Sequence, residues 1–336
     1  MKLGGREQGV ALIVVLWVIM VLSLLIAGFA FTMHVETQVA SFSRKQQKAE
    51  SLARSGIEVA RMQLMLAEKA STNSMFTSLN QPWATNELLY VDHELGEGKF
   101  NVKMIDEQSK LPINRLTEAQ WKRLMDLLAV DPSDAEVIVD SILDWIDEDD
   151  LHKLNGAESD YYQSLSPPYK AKNGTVDRVE ELLLVRGVTR QLYDGQAGTN
   201  ETTGTTEATG WRDLLTTFSP GTVNVNTASR IVLQVMFGLD DVQVAGILAR
   251  RDGIDGIPGT DDDQPFISPS DFLSQIAIQD PKVRMQLQTG VAVKSSYFTV
   301  KSTGEVGGIR RTITAVLQRQ TALVTVVTWE EQPSAQ

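Results

Sequence analysis

The 336-residue sequence contains no cysteine and only three histidines, and its net charge is −12. The absence of cysteine excludes disulfides, thiolate nucleophiles and Cys-ligated zinc. The histidines, His34, His93 and His152, are too scattered to predict a histidine-based metal or catalytic site. Because an acidic chain repels polyphosphate, nucleic acid is not expected as a partner. Carboxylates are the abundant potential ligands, and they favour hard cations such as calcium.

Proline is absent before Pro82, and no charged residue occurs from Val10 to Met33. As a helix, this run covers roughly 30 Å or slightly more at ~1.5 Å per residue, enough to cross a bilayer. The alternative is a secretory signal peptide with Gly28-Phe29-Ala30 as its cleavage site. The apolar part of such a peptide is usually only about 7–15 residues long. The length of the run therefore favours a membrane-spanning helix.

The segment after the apolar run continues the helical pattern. Apolar residues recur at spacings of four and three along one face: Ala53, Ile57, Ala60, Leu64 and Ala67. This stripe predicts an amphipathic helix. The simplest interpretation is one long helix, with its first half in lipid and its second half packed on a soluble domain. Basic residues lie on both sides of the apolar run, so charge alone does not decide its orientation.

Strand patterns occur near both ends of the remaining chain. Residues Gly98–Asp106 alternate between apolar and polar, and three further strands are predicted around 296–302, 309–318 and 321–330. Between them the sequence is predicted to be helical, with capping boxes beginning at Thr117 and Ser133. Two helix-hairpin-helix-like repeats are recognised there. Units of this kind bind DNA in many proteins, but these hairpins end in carboxylates, so DNA binding is disfavoured.

Two acidic clusters are candidate metal sites. The first lies within seven residues and the second within twelve. Three glycines in the second cluster would let the chain fold around a centre. Dense carboxylates repel one another unless a cation neutralises them, and the alternative is a solvated acidic turn. The pattern favours calcium at the second cluster and leaves the first evenly balanced. The first cluster contains Asp144, Asp147, Glu148, Asp149 and Asp150, and the second contains Asp252, Asp255, Asp261, Asp262 and Asp263.

The N-terminus resembles that of type IV prepilins and type II secretion pseudopilins. A short basic leader ends in Gly9, and a hydrophobic helix follows and becomes amphipathic. The resemblance implies that a prepilin peptidase cuts between Gly9 and Val10 and methylates the new N-terminus, with the leader in the cytoplasm. Most of the family carries Glu five residues into the mature chain, where this sequence has Val14. The missing Glu is typical of the K-type minor pseudopilins, the GspK family.

Five motifs in the rest of the chain resemble GspK in the same order. They are ILDWIDEDD (142–150), GAESDYY (156–162), PPYKAKNG (167–174), ELLLVRGV (181–188) and VNVNTA (223–228). The resemblance implies an α+β fold, in which the long N-terminal transmembrane and amphipathic helix packs on a pilin-like antiparallel sheet interrupted by a large inserted α-helical domain. It also implies calcium in that domain, with Glu158 or Asp160 as further candidate ligands. The predicted parts are a leader (1–9), a transmembrane helix (10–33), an amphipathic helix (34–70), a β domain (71–106 and 291–336) and the inserted domain (107–290).

The function implied by the resemblance is that of a minor pseudopilin of the type II secretion system. It would lie at the tip of the periplasmic pseudopilus and initiate or cap the assembly that exports folded proteins. The implied partners are the I, J and H minor pseudopilins, the major pseudopilin and the prepilin peptidase, with the chain anchored in the inner membrane and its soluble domain in the periplasm. No nucleophile–base–acid set is recognised, so an enzyme is not expected. The alternatives are a minor pilin of a type IV pilus and a membrane-anchored calcium-binding interaction protein.

Overall fold

A computed structural model of the chain describes residues 7–69, 75–195, 209–276, 281–321 and 323–332. Its first element, α1 (Glu7–Lys69), is one continuous helix of 63 residues. The apolar part of α1 has a mean hydropathy of 3.0 and is fully exposed. In the described ranges it is the one helix long and apolar enough to cross a membrane. The second half is packed, with Ala53, Ile57 and Leu64 fully buried. The prediction of one long helix with two different halves is confirmed.

The second half of α1 packs on an antiparallel sheet. Its strands are β1 (His93–Leu95), β2 (Gly98–Asp106), β7 (Tyr297–Val306), β8 (Ile309–Arg319) and β9 (Val324–Gln332), and they lie in the order β1-β2-β7-β8-β9. Strand β2 pairs with β7 from Lys99 opposite Glu305 to Asp106 opposite Phe298. The sheet is thus formed by chain segments on both sides of the helical region, and the predicted fold class is confirmed. The residue boundaries of the predicted domains stay predictions.

Glycines let α1 lie close to the sheet. A Cβ at Gly56 would lie 2.1 Å from Ser302 Oγ, and one at Gly304 would lie 2.0 Å from the carbonyl oxygen of Ala49. Phe100 and Val300 are buried in the same core. The apolar side chains that alternate along the strands and those that form the stripe on α1 therefore pack together in one small core.

The segment between β2 and β7 is mainly helical. Its first hairpin is α4 (Glu118–Leu127) with α5 (Pro132–Ile146), and its second is α9 (Arg230–Phe237) with α10 (Asp241–Arg251). Helix α4 packs on α9. Two pairs of short parallel strands connect parts of the segment: β3 (Leu111–Pro112) with β4 (Leu215–Thr216), and β5 (Val223–Asn224) with β6 (Val291–Ala292). The remaining helices are short: α2 Pro82–Thr85, α3 Glu87–Tyr90, α6 Ser159–Gln163, α7 Arg190–Asp194, α8 Trp211–Leu214, α11 Pro269–Gln275 and α12 Pro281–Gly290.

The helix starts show where local sequence signals hold. Helix α4 begins at the predicted capping box, in which Thr117 and Gln120 bond each other's backbone. The box predicted at Ser133 is wrong, because α5 starts earlier and is capped by Asp131, whose side chain accepts a hydrogen bond from the Ser133 amide. Pro132 occupies the first helical position, where its fixed φ suits the helix and its missing N–H costs nothing.

The helical segment is joined to the sheet through a buried carboxylate. Asp106, at the end of β2, accepts hydrogen bonds from Ser295 Oγ (2.6 Å), Thr227 Oγ1 (2.6 Å) and Asn224 Nδ2 (3.1 Å). Burial raises the pKa of Asp106, and these hydrogen bonds oppose that shift. The helical segment has its own core, which includes Trp121 and Trp211 with ring centroids 5.9 Å apart.

Candidate metal centre

Three carboxylates meet where α5 ends. Asp144 lies in the last turn of α5, Asp147 is its C-cap residue, and Glu158 is the residue before α6. One oxygen from each lies within 4.8 Å of the other two. In the part of the chain that the structure describes, this is the only group of three or more such side chains. Two of its members were predicted from the first acidic cluster, and Glu158 was a further candidate.

Three carboxylate oxygens of this centre lack hydrogen-bond partners although they are shielded from water. Asp144 and Glu158 are buried, and Asp147 is half-buried. Both carboxylate oxygens of Glu158 and Oδ1 of Asp147 are buried without a hydrogen-bond partner. A buried polar atom without a partner costs free energy, and a buried charge costs more. Calcium binds oxygen ligands of this type, so the residues present fit that cation.

The protonation of the centre reflects this crowding. Burial, reinforced by the charges of Asp144 and Asp147, raises the pKa of Glu158 to about 7. Burial also raises the pKa of Asp144, although the backbone N–H of Lys153 partly offsets the shift. The pKa of Asp147 is raised by burial and by Asp149. Without a cation, the centre therefore tends to hold a proton near neutral pH, and binding of a divalent cation would release it.

The loop after α5 is folded around these side chains. The Lys153 amide donates to Asp144 Oδ1 (3.2 Å) and Oδ2 (3.1 Å), and the Asn155 amide donates to Asp140 Oδ2 (3.1 Å). A Cβ at Gly156 would lie 1.9 Å from Asp144 Oδ2, so only glycine lets the backbone pass. Asp140 was not singled out from the sequence. Its position one turn before Asp144 on the same helix face was the available signal.

An aromatic cluster fixes the end of α5 that carries Asp144. Trp145 packs edge-to-face on Tyr162 with centroids 5.1 Å apart, and its Nε1 donates to Glu181 Oε1 at 3.0 Å. Tyr162 stacks in turn on Tyr169 at 5.2 Å. Since Tyr162 lies on α6, directly after Glu158, the cluster holds both sides of the centre in place.

The other predicted ligands of the first cluster point elsewhere. Asp149 accepts a hydrogen bond from the Leu151 amide at 2.8 Å, and Asp150 accepts one from Asn173 Nδ2 at 3.1 Å. Both are exposed. Both residues come after the end of α5, where the chain has left the helix, and their side chains face solvent. The structure does not bring them together with Asp144 and Asp147.

The second acidic cluster is satisfied by its own loop. The compact turn expected from the glycines is present, with φ of +70° at Gly253, +68° at Gly256 and +93° at Gly259. Most of its carboxylates, however, accept hydrogen bonds from backbone amides or from the Arg251 side chain. No three of them meet within the described ranges. The contacts are Asp252 with Arg251 Nε (2.6 Å), Asp255 with the Ile257 amide (2.8 Å), Asp262 with the amides of Ile254 (2.6 Å) and Asp255 (3.2 Å), and Asp263 with the Gly259 amide (2.8 Å), while Asp261 is exposed.

The predicted processing site lies at the start of α1. Gly9 and Val10 are within its helical backbone, and Val14 is an exposed residue one turn further along. Cleavage between Gly9 and Val10 stays a prediction.

The fold and this N-terminus define a class of protein. A long helix with an exposed apolar first half packs its second half on an antiparallel sheet, and a helical segment interrupts that sheet. This is a pilin-like protein with a membrane anchor and a soluble domain.

The comparisons with known proteins narrow the class. The model of the family described as type II secretion system (T2SS), protein K, matches residues 98–196. The chain is 27% identical over 204 residues to the putative type II secretion system protein K of Escherichia coli strain K12, and 27% identical over 207 residues to type II secretion system protein K of Aeromonas hydrophila. These matches cover 57% and 56% of this chain, and span 61% of the length of each relative.

Two further matches extend over most of the chain. Type II secretion system protein K of Pseudomonas aeruginosa is 26% identical over 330 residues, which are 93% of this chain and 89% of that protein. A crystal structure of the GspK-GspI-GspJ complex from enterotoxigenic Escherichia coli contains a similar chain, with a TM-score of 0.69 and 22% identity, covering 88% of this chain and 99% of that one. The latter likeness shows the fold. The resemblance predicted from the sequence is confirmed, because the chain is similar to type II secretion system protein K over most of its length.

Proposed function

We propose that this chain is a minor pseudopilin that assembles at the tip of a periplasmic type II secretion pseudopilus. The observation that carries the proposal is the match to the K family, on a fold whose anchor helix runs directly into the sheet-bearing domain. The role is structural rather than catalytic, and the chain acts in starting or capping the filament. Its soluble domain lies in the periplasm and α1 in the inner membrane.

The partners follow from the relative that is similar in fold. That GspK chain forms a complex with GspI and GspJ, and we infer that the corresponding minor pseudopilins bind this chain. We expect the H-type minor pseudopilin and the major pseudopilin on the membrane-proximal side of this complex. The prepilin peptidase acts earlier, on the bond between Gly9 and Val10.

Position 14 supports a place at the tip. In the filament, the buried Glu of one subunit meets the N-terminal amine of the neighbour on the membrane-distal side. A first subunit has no such neighbour, and an unpaired charge in lipid costs about 2.5–3.5 kcal/mol on insertion scales. Val14 removes that cost. The helical segment between β2 and β7 points the same way, because a tightly wound stack has little room to repeat such bulk.

We also propose that calcium binds at the centre formed by Asp144, Asp147 and Glu158. Calcium would supply a positive charge that neutralises these carboxylates and satisfies their unpartnered oxygens. The chain's own contribution is positional. Helix α5 presents Asp144, the helix end presents Asp147, and the loop closed over Gly156 returns Glu158 to them. The loop at 252–263 is a second candidate, although four of its five carboxylates already have partners within the chain.

Immunogold labelling of assembled pseudopili tests the proposed place in the filament. The chain should be found at one end, in about one copy per filament, whereas the major subunit should be found along the shaft. A matched specimen labelled for the major subunit serves as the control. Label along the shaft, in numbers comparable with the major subunit, would contradict the tip assignment.

A further inference from the structure

The two hairpin turns of the sheet lie at the end of the soluble domain nearest the exposed part of α1. Both turns lie close to α1. Gly307 in the β7–β8 turn is next to Lys45, since a Cβ at Gly307 would lie 3.3 Å from the Lys45 side chain. Gly98, directly after the β1–β2 turn, is next to Leu52, since a Cβ at Gly98 would lie 2.7 Å from the Leu52 side chain. Since Lys45 and Leu52 are early in the packed half of α1, both turns face the apolar half. This end of the domain would face a membrane that α1 crosses.

This end is positively charged in a chain whose net charge is −12. Five cations form what we call the basic rim: Arg44, Lys45 and Lys48 on α1, and Arg310 and Arg311 at the start of β8. Neighbouring acids offset part of this charge, because Glu97 pairs with Lys48 and Glu305 pairs with Arg310. Two further acids lie near Arg310 and Arg311, but each has another cation as its partner: Asp92 pairs with Lys99 and Glu50 pairs with Arg54. Among the described residues, Arg44 and Lys45 form no ion pair, and both are exposed. A charge balance opposite to that of the whole chain indicates an anionic partner.

A cleft beside the rim adds an apolar surface. Its volume is about 600 Å³, and it is lined by Leu52, Leu95 and Val306, with Arg44 and Lys48 also at its wall. Below it on α1, Val35, Val39 and Phe42 are exposed at helical spacing. Cationic groups next to exposed apolar side chains suit a lipid surface, in which anionic phosphate groups lie above a hydrocarbon layer.

The distance along α1 is compatible with contact to lipid. From Met33, the end of the uncharged run, to Arg44 the helix rises roughly 16 Å at 1.5 Å per residue. The headgroup layer occupies roughly 5–8 Å of that height on each side of the hydrocarbon. Helical side chains point back towards the N-terminus, so long basic side chains reach towards the membrane. A transmembrane helix is also tilted by about 20° on average, which lowers one side of the rim further.

We propose that the basic rim binds the phosphate groups of anionic lipids in the membrane that α1 spans. The proposal rests on the membrane anchor inferred above. Docking would hold the soluble domain against the bilayer before the subunit joins a filament. An acidic protein surface is the other possible occupant, and binding to it would not depend on the charge of the lipid.

Fluorescence quenching in vesicles tests the proposal on the full chain. Because the sequence has no cysteine, Gln47→Cys gives a single labelling position beside Lys48. Gln320→Cys, exposed near the far end of the sheet, gives the control position. The quencher is a nitroxide on a small fraction of lipid headgroups. Vesicles of phosphatidylcholine alone are compared with vesicles that also contain phosphatidylglycerol.

The label at position 47, and not the one at 320, should be quenched more strongly when phosphatidylglycerol is present, and added salt should reverse the difference. Each cation in contact with an anionic surface favours docking by roughly fivefold. The triple variant Arg44→Gln, Lys45→Gln and Arg311→Gln should therefore lose most of the difference. Its control removes the same charge from exposed cations of the helical segment: Arg178→Gln, Arg212→Gln and Arg230→Gln.

Insertion is measured on the same vesicles by resistance to carbonate extraction. An inserted chain whose quenching at position 47 is the same in both lipids, or is unchanged in the rim variant, would overturn the proposal for the rim. A chain extracted by carbonate would instead contradict the membrane anchor. The two failures are thus distinguishable.

Discussion

Replacing Glu158 by Gln should separate the effect of a proton from that of calcium at the candidate metal centre. The pKa of Glu158 in the folded chain is about 7, above its ordinary value of 4.5. Between these pH values the folded chain without calcium holds more protons than the unfolded chain. Its free energy of unfolding therefore falls as the pH rises from about 4.5 to about 7, and stays lower above that range. A pKa shift of this size corresponds to a loss of at most roughly 3 kcal/mol in the free energy of unfolding.

In chelator, Glu158→Gln should remove most of this dependence on pH and melt above the wild-type chain at pH 8, because a neutral amide avoids the buried charge. In calcium the order should reverse. An ion at a hundredfold excess over Kd adds about 2.7 kcal/mol to the wild-type chain, and 1 kcal/mol shifts the melting temperature of a chain of moderate size by about 2–4 °C. The variant lacks a ligand and should gain much less.

Thermal melting of the full chain in detergent, followed by tryptophan fluorescence at several pH values with calcium or chelator, measures both effects. Trp145 adjoins Asp144 and reports on this region. Glu148→Gln is the matched control, because it removes the same charge from an exposed residue of the same loop. Equal melting of the wild-type chain in calcium and chelator would refute the metal centre. An unchanged pH dependence in Glu158→Gln would refute the assignment of the proton.

Three further outcomes are expected. Mass spectrometry of the protein recovered from membranes should show N-methylated Val10 as the first residue when prepilin peptidase is present; a start at Met1 or after Ala30 would contradict the pseudopilin assignment. Asp262→Ala should lower the melting temperature equally in calcium and in chelator, since its carboxylate accepts hydrogen bonds from the amides of Ile254 and Asp255; a larger loss in calcium would show that this loop binds the ion. Gly56→Ala should destabilise the chain by about 1–3 kcal/mol through overpacking, since the new Cβ would meet Ser302 and Val102. The control is Gly246→Ala in α10, which has open space around it and should be neutral or stabilising. Equal melting of the two variants would show that α1 can move away from the sheet at no cost.

The elements of the fold were predictable where one pattern repeats over many residues. The apolar stripe from Ala53 to Leu64 and the alternation in Gly98–Asp106 each carry several concordant positions, and both elements are present. The start of α5 was misplaced because two capping signals overlap within a few residues, and the proline at position 132 selects the earlier one. Local propensity cannot choose between such neighbours without the energy of the packed helix.

The candidate metal centre was only partly predictable. Counting carboxylates along the chain favoured 252–263, where the acids and glycines are dense, yet those acids are bonded by the amides of their own turn. Three carboxylates come together where α5 ends, because the loop returns Glu158 to Asp144 and Asp147. Their burial and the unpartnered oxygens of Asp147 and Glu158 make them distinctive, and neither property can be read from the spacing of acids along a sequence.

The pairing of β2 with β7 has a consequence for how the chain folds. Strand β2 has no neighbour on its β7 side until the whole helical segment has been synthesised, and pairings between such distant parts of a chain form slowly. The helical segment has a core separate from that between α1 and the sheet, and a part with its own core can fold as a unit. During translation the helical segment can therefore become compact while the stripe from Ala53 to Leu64 is still uncovered. The half of α1 that will carry the sheet thus keeps an uncovered apolar stripe until β7, β8 and β9 have been synthesised, and in that interval it is open to aggregation.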